Sequence, residues 1–275
     1  MNYYEVKIEF NQIDPWREII ISMLAEKGAE SFTESKTGCQ AYFPENTFTT
    51  IEALELDRYK ESINSVSSEL IKDQNWNAEW ESNFEPVFVG DKLAILAPFH
   101  KSDTKHKIKV IIQPQMSFGT GHHQTTWLMS MCIMSLEITN KIVLDMGTGT
   151  GVLAILAEKL GAKEVFAPDI DKWAYQNSID NCQLNDCKNI ELALGGVELL
   201  GGRKFDVIIA NINKNILTQQ FESYKAVSNE GTILLISGFF ATDIDELRNT
   251  AENSGFIFEN SYSKDEWALI EFHKH

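Results

Sequence analysis

Hydrophobic and polar residues alternate in short mixed segments over roughly the first 70 positions. Residues 3–10 (YYEVKIEF) alternate inward apolar and outward charged side chains, which predicts a half-buried strand. Residues 16–27 have the apolar spacing of a helix, with Asp14 as its expected N-cap and Pro15 in its first turn. The pattern therefore predicts that the chain begins with a small α+β unit.

Further along this unit, two short strands are expected at residues 31–34 and 40–43, on either side of a turn. The apolar residues of 57–72 repeat at helical spacing and predict a second amphipathic helix. The resulting β-α-β-β-α order resembles the ferredoxin-like module, whose last strand is expected just downstream. A module of this kind is a common binding platform, but the fold by itself names no ligand.

From about residue 92 the pattern changes to a long alternation of strands and helices. Strands are predicted at 93–97, 108–113, 142–146, 164–168, 190–194, 207–210, 233–237, 256–262 and 267–272. Helices are predicted at 125–135, 152–160, 172–185, 215–227 and 242–254. This alternation predicts the α/β class, with a Rossmann-like, doubly wound and mostly parallel sheet covered by helices on both faces.

The change of pattern divides the chain into a small domain over 1–72, a linker over 73–90 and a larger domain over 91–275. In the linker, Trp76 and Trp80 are four residues apart, which places them on one face of a helix. Two interpretations are open for these rings. They pack at the junction between the two domains, or they form part of a substrate-binding surface.

Composition and charge exclude several classes of protein. The 275 residues include 40 acidic and 24 basic side chains, a net charge of −16, and four cysteines without a CxxC pair. Neither a disulfide framework nor a zinc ribbon is expected, and no signal peptide or bilayer span is visible, so we expect a cytoplasmic protein. The negative charge disfavours binding to nucleic acids and favours basic proteins as partners. The alternative is that the excess acidic residues serve solubility alone.

The sharpest chemical signal is the run VLDMGTGTG at 143–151, where an apolar strand enters a glycine-rich turn before a helix. Glycines let the backbone turn tightly, and the helix N-terminus presents free N–H groups to a polar ligand. Asp169 ends the next strand, 22 residues after Gly147, where a carboxylate suits the two hydroxyls of a ribose.

The spacing also discriminates between nucleotide-binding turns. Val152 stands where the dinucleotide fingerprint needs its third glycine, and no Gly-Lys-Ser/Thr follows, which excludes a P-loop. The GxGxG turn, with Asp145 before it and Asp169 after it, resembles the turn of class I S-adenosylmethionine-dependent methyltransferases. The alternative is a glycine turn with a purely structural use, which any α/β protein can contain.

Further motifs resemble one family of these enzymes, the ribosomal protein L11 methyltransferases (PrmA), over nearly the whole chain. They are NWxxxWxxxFxP at 75–86, FGTGxHxTT at 118–126, LDxGxGxG at 144–151, DID at 169–171 and ANI at 210–212. The resemblance implies S-adenosylmethionine as cofactor, held by Thr126, Gly147, Asp169 and Asn211, with Gly149 in the same turn. It also implies methyl transfer to lysine ε-amines and the N-terminal α-amine of ribosomal protein L11, with no metal and no catalytic side chain assigned.

The chain departs from the family pattern at three places. Gln115 follows Pro114 where the family has a glycine, Thr148 replaces a cysteine, and Asn213–Lys214 replaces Leu-Ala after the ANI run. We therefore expect Asn213 and Lys214 at the entrance for the substrate amine. Two other functions stay open: methylation of a different amine or amide, and an inactive cofactor-binding module that assists ribosome assembly.

Several neighbouring side chains have simpler interpretations. Thr126 lies near a predicted helix start, where it could cap the helix instead of contacting the cofactor. His122 and His123 have no third His or Cys at ligand spacing, so we expect one of them to shape the loop rather than bind a metal. Cys182 and Cys187 are expected to be buried or neutral thiols.

Overall fold

The computed structural model describes residues 2–71, 81, 83–101, 103–115 and 117–275. It divides the chain into two compact units, Met1–Phe84 and Glu85–His275. The division falls within the predicted linker over 73–90. Trp76 and Trp80 lie outside the described residues, so both interpretations of these rings stay predictions. In the described part of the chain, no helix is long and apolar enough to cross a bilayer.

The first unit is a four-stranded antiparallel sheet that shares its core with a helix. Its elements are β1 (Tyr3–Phe10), α1 (Trp16–Glu26), β2 (Ser31–Glu34), β3 (Gly38–Pro44) and β4 (Ile63–Ile71), with short 3-10 helices at Glu52–Leu54 and Leu56–Tyr59. The strands lie in the order β2-β3-β1-β4, so β3 separates β1 from β2, as in a split β-α-β unit. Ile20 and Leu24 of α1 share the core with Val6 and Ile8 of β1.

The predicted second helix over 57–72 is wrong, because this stretch contains a 3-10 helix and then strand β4. Strand β4 pairs with β1, and a bulge next to Glu9 and Phe10 shifts the register. Phe10 lies opposite Ile63 and Ile8 lies opposite Val66. The bulge thus brings two apolar residues that are three positions apart to the same face, a spacing that imitates one turn of helix.

The start of α1 also differs from the expectation. Pro15 occupies the N-cap position, and no side chain donates or accepts a capping hydrogen bond there. Asp14 is therefore not the N-cap of this helix.

The second unit is built on a seven-stranded sheet in the order β10-β9-β8-β11-β12-β14-β13. The strands are β8 (Ile142–Met146), β9 (Glu164–Asp169), β10 (Ile190–Leu194), β11 (Phe205–Asn211), β12 (Ser228–Phe240), β13 (Phe256–Lys264) and β14 (Trp267–Lys274). The first five strands in this order pair in parallel, and β14 pairs antiparallel with both of its neighbours. The predicted doubly wound, mostly parallel sheet is therefore confirmed.

Helices cover both faces of this sheet. They are α2 (Gln124–Ile133), α3 (Val152–Lys159), α4 (Lys172–Leu184), α5 (Lys214–Ala226) and α6 (Ile244–Asn253). Side chains of α2, α3 and α4 share one buried cluster with Val143, and side chains of α5 and α6 share another with Leu144. Adjacent residues of one strand thus point into opposite cores, as the two-residue period of a strand requires. Such burial on both faces explains why these strands are apolar throughout.

The strands predicted at 93–97 and 108–113 are present but lie outside the seven-stranded sheet. Strand β6 (Leu93–Leu96) pairs in parallel with β7 (Ile108–Ile111), and β5 (Val87–Val89) adds an antiparallel edge. Strand β5 falls in the stretch assigned to the linker, and the pattern analysis missed it. Three residues are too few to give a readable alternation.

Candidate functional site

A glycine-rich turn connects β8 to α3 at the carboxyl edge of the sheet. Gly147, Gly149 and Gly151 have φ angles of 72°, 58° and 83°, a region that disfavours other residues. A Cβ atom on Gly147 would collide with the Ile212 side chain, and one on Gly149 with the carbonyl oxygen of Phe118. Glycine is therefore required here both for backbone conformation and for space.

Asp145 supports this turn from inside the protein. Its buried carboxylate accepts hydrogen bonds from the Thr148 hydroxyl at 2.7 Å and from the Ala154 N–H at 3.1 Å. Burial raises the pKa of Asp145 to about 6, and the two hydrogen bonds oppose this rise. Asp145 therefore fixes the conformation of the turn and the first helical turn of α3.

The loop that carries the FGTG motif contacts the glycine-rich turn directly. The carbonyl oxygen of Phe118 accepts from the Thr150 N–H at 3.0 Å, and that of Gly119 accepts from the Thr150 hydroxyl at 2.6 Å. Thr150 is buried. Two motifs about 30 residues apart in the chain thus form one structural unit through Thr150.

Asp169 lies at the end of β9, beside the turn. One carboxylate oxygen accepts from the Gly149 N–H at 2.8 Å, and the other from the Asp171 N–H at 2.9 Å. Asp171 caps α4 by accepting from the N–H groups of Trp173 and Ala174, both at 2.8 Å. Because a carboxylate oxygen can accept more than one hydrogen bond, Asp169 keeps acceptor capacity for a ligand.

These elements border a cleft of about 870 Å³ at the carboxyl ends of the parallel strands. Its lining includes Gln115, Ser117, Phe118, His123, Thr125, Gly147, Gly149, Asp169, Ile170, Asp171, Trp173, Ala174, Asn211, Ile212, Asn213, Gly238 and Trp267. The cleft lies where the strand order reverses, between β8 and β11, which is the usual ligand site of such sheets. Four of the five predicted site residues, Gly147, Gly149, Asp169 and Asn211, meet here.

Asn211 ends β11 at this cleft. Its amide oxygen is buried, and it has no hydrogen-bond partner among the residues that the structure describes. A buried acceptor without a partner costs on the order of 1–3 kcal/mol. A donor group of a ligand would remove this cost.

Thr126, the fifth predicted residue, is fully buried and does not line the cleft, whereas Thr125 does. The Thr126 hydroxyl oxygen also lacks a partner within the described residues. Thr126 does not cap α2. Instead, Nδ1 of His123 accepts from the Thr125 N–H at 3.3 Å and lies 2.8 Å from the Thr125 hydroxyl oxygen.

His123 therefore shapes the loop, as predicted for one of the two histidines. Burial lowers its pKa, which favours the neutral ring. Nε2 of His122 lies 2.9 Å from the Glu85 carbonyl oxygen. Across the described ranges, no group of three His, Cys, Asp or Glu side chains is placed to hold a metal ion.

Phe118, His123 and Trp267 form an aromatic wall of the cleft, and Trp267 lies outside every motif identified in the sequence. The ring of Trp267 lies 4.5 Å from His123 and 4.5 Å from Phe240, and His123 lies 5.0 Å from Phe118. Trp267 begins β14, far along the chain from the glycine-rich turn, so no local motif connects the two.

Ile170 and Trp173 also line the cleft, and these residues are 73% and 79% exposed. Large apolar residues this exposed at a cleft are typical of a ligand surface. In the sequence, the apolar Ile170 between the two aspartates of the DID run was the signal that could have indicated this exposed apolar surface.

Asn213 and Lys214 have different positions. Asn213 caps α5 by accepting from the Asn215 N–H at 3.0 Å, and it lines the cleft as expected. Lys214 is not among the residues that line the cleft, and its place at the substrate entrance stays a prediction. Its ammonium donates to Asp243 at 2.9 Å and to Glu246 at 3.0 Å, and these hydrogen bonds raise its pKa.

The predicted thiols are also located. Cys182 is buried on α4, and Cys187 is partly buried beyond it. The hydrogen bond with Cys187 and, to a smaller extent, burial raise the pKa of Cys182. That thiol therefore stays neutral.

Comparisons with known proteins agree on one family. Residues 6–275 match the family described as ribosomal protein L11 methyltransferase (PrmA). The ribosomal protein L11 methyltransferase of Porphyromonas gingivalis is 42% identical, over 93% of this chain and 90% of that protein. The corresponding protein of Phocaeicola vulgatus is 41% identical, over 99% of each chain.

Two solved structures of methyltransferases are similar to this chain. A ribosomal protein L11 methylase from Lactobacillus delbrueckii subsp. bulgaricus is 28% identical with a TM-score of 0.65, covering 70% of this chain and all of that one. A methyltransferase from Pyrococcus furiosus, at 16% identity and a TM-score of 0.52, covers 60% of this chain and 90% of its own. The second likeness concerns the fold alone.

The buried carboxylate predicts a specific pH dependence. An acid whose folded pKa exceeds its unfolded value of about 3.9 stabilises the fold at low pH, and this contribution is lost as the pH rises. We compare the free energy of unfolding of the wild-type protein with that of Asp145→Asn. The wild-type value minus the variant value should fall by about 1–3 kcal/mol as the pH rises from 4 to 6.5. Urea denaturation across this range measures the difference. The difference should stay constant above pH 7, and parallel curves throughout would contradict the raised pKa of Asp145.

Proposed function

The chain belongs to the ribosomal protein L11 methyltransferase (PrmA) family and is a methyltransferase, and from this premise we propose its cofactor, its substrate and the role of each site residue. The cofactor is S-adenosylmethionine, and the substrate is ribosomal protein L11, at lysine ε-amines and the N-terminal α-amine. The observation that carries the proposal is at Asn211, which lines the cleft beside the glycine-rich turn and whose buried amide oxygen has no partner among the described residues.

The cleft fits this cofactor at each of its parts. Gly147 and Gly149 line the cleft without side chains, so a ligand there lies against bare backbone. Asp169 has acceptor capacity for the two ribose hydroxyls. The exposed side chains of Ile170 and Trp173 offer apolar contact for the adenine ring. Thr126 is kept among the proposed cofactor-binding residues for two reasons. Its buried hydroxyl has no hydrogen-bond partner among the described residues, and its neighbour Thr125 lines the cleft.

The bound cofactor supplies an activated methyl group on a positively charged sulfur, so the protein's task is alignment. Asn211 accepts a hydrogen bond from an N–H of the substrate amine and so orients the nitrogen lone pair. A free lysine has a pKa near 10.4, and the apolar wall of Phe118 and Trp267 favours its neutral form.

No side chain is assigned as a general base. The charged residues among the described lining are Asp169 and Asp171, and both accept hydrogen bonds from backbone N–H groups. Nδ1 of His123 accepts from the Thr125 N–H, which leaves the proton on Nε2. The amine proton therefore leaves to solvent.

The small domain over 1–72 is proposed to hold the substrate protein, with 73–90 as the linker to the methyltransferase domain over 91–275. Residues 1–84 carry 16 acidic and 7 basic side chains, so this unit contributes −9 of the net charge of −16. Glu5 and Glu69 lie directly opposite each other on paired strands, where like charges repel. A basic ribosomal protein relieves that repulsion.

Methylation of the named substrate tests the proposal directly. We expect the purified protein, with methyl-labelled S-adenosylmethionine and L11, to label lysine ε-amines and the N-terminal α-amine, as mapped by mass spectrometry. Asn211→Ala should lower the transfer rate about 100-fold, the effect of removing one preorganised hydrogen-bonding group. Label on another amine, on an amide, or nowhere would refute the substrate assignment.

Asp169→Ala should weaken the binding of S-adenosylhomocysteine by about 1.5–3 kcal/mol, since a charged acceptor of hydrogen bonds is lost. Isothermal titration calorimetry measures this change as a roughly 10- to 150-fold rise in Kd. Asp180→Ala, on α4 but outside the lining of the cleft, is the matched control and should bind normally. Equal affinities for all three proteins would remove Asp169 from the ribose site.

Neutralising the acidic pair tests the small domain. Glu5→Gln with Glu69→Gln should raise the KM for L11 about 3- to 10-fold, because electrostatic attraction is lost, without changing the Kd for S-adenosylhomocysteine. Glu222→Gln with Glu230→Gln makes the same charge change on the second unit and is the control. An unchanged KM in the first variant, or an equal rise in both, would argue against a substrate surface on this sheet.

A further inference from the structure

Helix α4 places three asparagines at four-residue intervals on one face. Asn177 and Asn181 are fully buried, and Asn185, at the C-cap, is 8% exposed. Buried amides are costly unless they are hydrogen-bonded, and this face of a helix would ordinarily be apolar. Their partners therefore indicate what the asparagines do.

These amides bond to the backbone of the chain that leaves β7. Asn185 accepts from the Ile111 N–H at 2.9 Å and donates to its carbonyl oxygen at 2.6 Å. Asn181 accepts from the Gln113 N–H at 2.8 Å, and Asn177 donates to the Gln113 carbonyl oxygen at 3.4 Å.

The spacings of the helix and the extended chain explain this pairing. Four residues of helix advance about 6 Å, and two residues of extended chain advance about 6.6 Å, so Asn185 and Asn181 meet Ile111 and Gln113. Asn177 bonds to the carbonyl oxygen of Gln113, whose N–H bonds to Asn181. The face of α4 thus takes the place of a neighbouring strand for residues 111–113.

Asn181 makes one additional contact that Asn185 does not. Its amide NH₂ donates to the Thr150 carbonyl oxygen at 2.9 Å, inside the glycine-rich turn. Thr150 in turn donates to the carbonyl oxygens of Phe118 and Gly119. One buried side chain therefore joins the start of the 113–123 loop to the turn, and that loop supplies Phe118 and His123 to the cleft.

We propose that Asn181 is a positioning residue, which sets the distance between the glycine-rich turn and the 113–123 loop and so preorganises the cofactor cleft. Asn181 does not itself line the cleft. This proposal rests on the proposed function, because it takes the cleft to be the cofactor site. Asn185, on the same helix face but bonded to Ile111 and to the helix itself, is the matched control.

The first measurement is the binding of S-adenosylhomocysteine by calorimetry. Asn181→Ala and Asn185→Ala each lose buried hydrogen bonds, so both should lower Tm. The Kd should rise about 10-fold in Asn181→Ala and less than 2-fold in Asn185→Ala, because one lost contact of this kind changes affinity by up to about tenfold. Equal changes in Kd at equal loss of Tm would show that Asn181 has a purely structural role.

A second variant separates the two hydrogen bonds of Asn181. When it is ionised, the carboxylate of Asn181→Asp can still accept from the Gln113 N–H but cannot donate to the Thr150 carbonyl oxygen. Because burial raises the pKa of a carboxyl group, this variant is measured at about pH 8.5. It should therefore resemble Asn181→Ala in Kd. This nearly isosteric change also keeps the test available if the alanine variant does not fold. Wild-type affinity in Asn181→Asp would overturn the proposal.

A third measurement needs no cofactor. Hydrogen exchange of the ligand-free protein should be faster at the Thr150 amide in both Asn181 variants, because its loop contact is loosened, and unchanged there in Asn185→Ala. Unchanged exchange at Thr150 in the Asn181 variants would refute the positioning role. If the wild-type protein does not bind S-adenosylhomocysteine at all, the proposed function fails, and the exchange data still decide the role of Asn181.

Discussion

The cleft depends on one constraint: the chain must reverse direction between β8 and α3 in a turn that has no room for a Cβ at Gly147 and Gly149. Three glycines at positive φ make this reversal possible, and the buried carboxylate of Asp145 holds it by binding the Thr148 hydroxyl and the Ala154 N–H. Burying this carboxylate is unfavourable, as its raised pKa indicates. The protein accepts this cost because the turn exposes bare backbone to a ligand at the edge of the sheet.

Segments distant in sequence are assembled around that turn by Thr150. It bonds to the loop before α2, and its carbonyl oxygen accepts from Asn181 on α4. For methyl transfer this rigidity is important, because an activated methyl group needs alignment with an amine more than it needs a strong base. Asn211, whose amide oxygen has no partner within the described residues, and Trp267 line the same cleft.

Much of this arrangement could be predicted from local patterns, and the errors have physical causes. The glycine-rich turn and Asp169 were predictable because strand, turn and acid follow each other at a fixed spacing. Strand β4 was mistaken for a helix because a bulge, set by pairing with β1, puts Ile63 and Val66 on one face. Lys214 was expected at the substrate entrance, and only the structure shows that Asp243 and Glu246, 29 and 32 residues later, bind its ammonium.

By itself, the sequence determined the fold class of the second unit, the position of the turn and the family, because each is encoded in neighbouring residues. Tertiary structure alone decided which side chains complete the cleft. Trp267 belongs to a strand distant in sequence from the glycine-rich turn, and Asn181 bonds to two backbone segments at once. Such contacts depend on distances between elements, and a linear pattern contains no information on those distances until the sheet is formed.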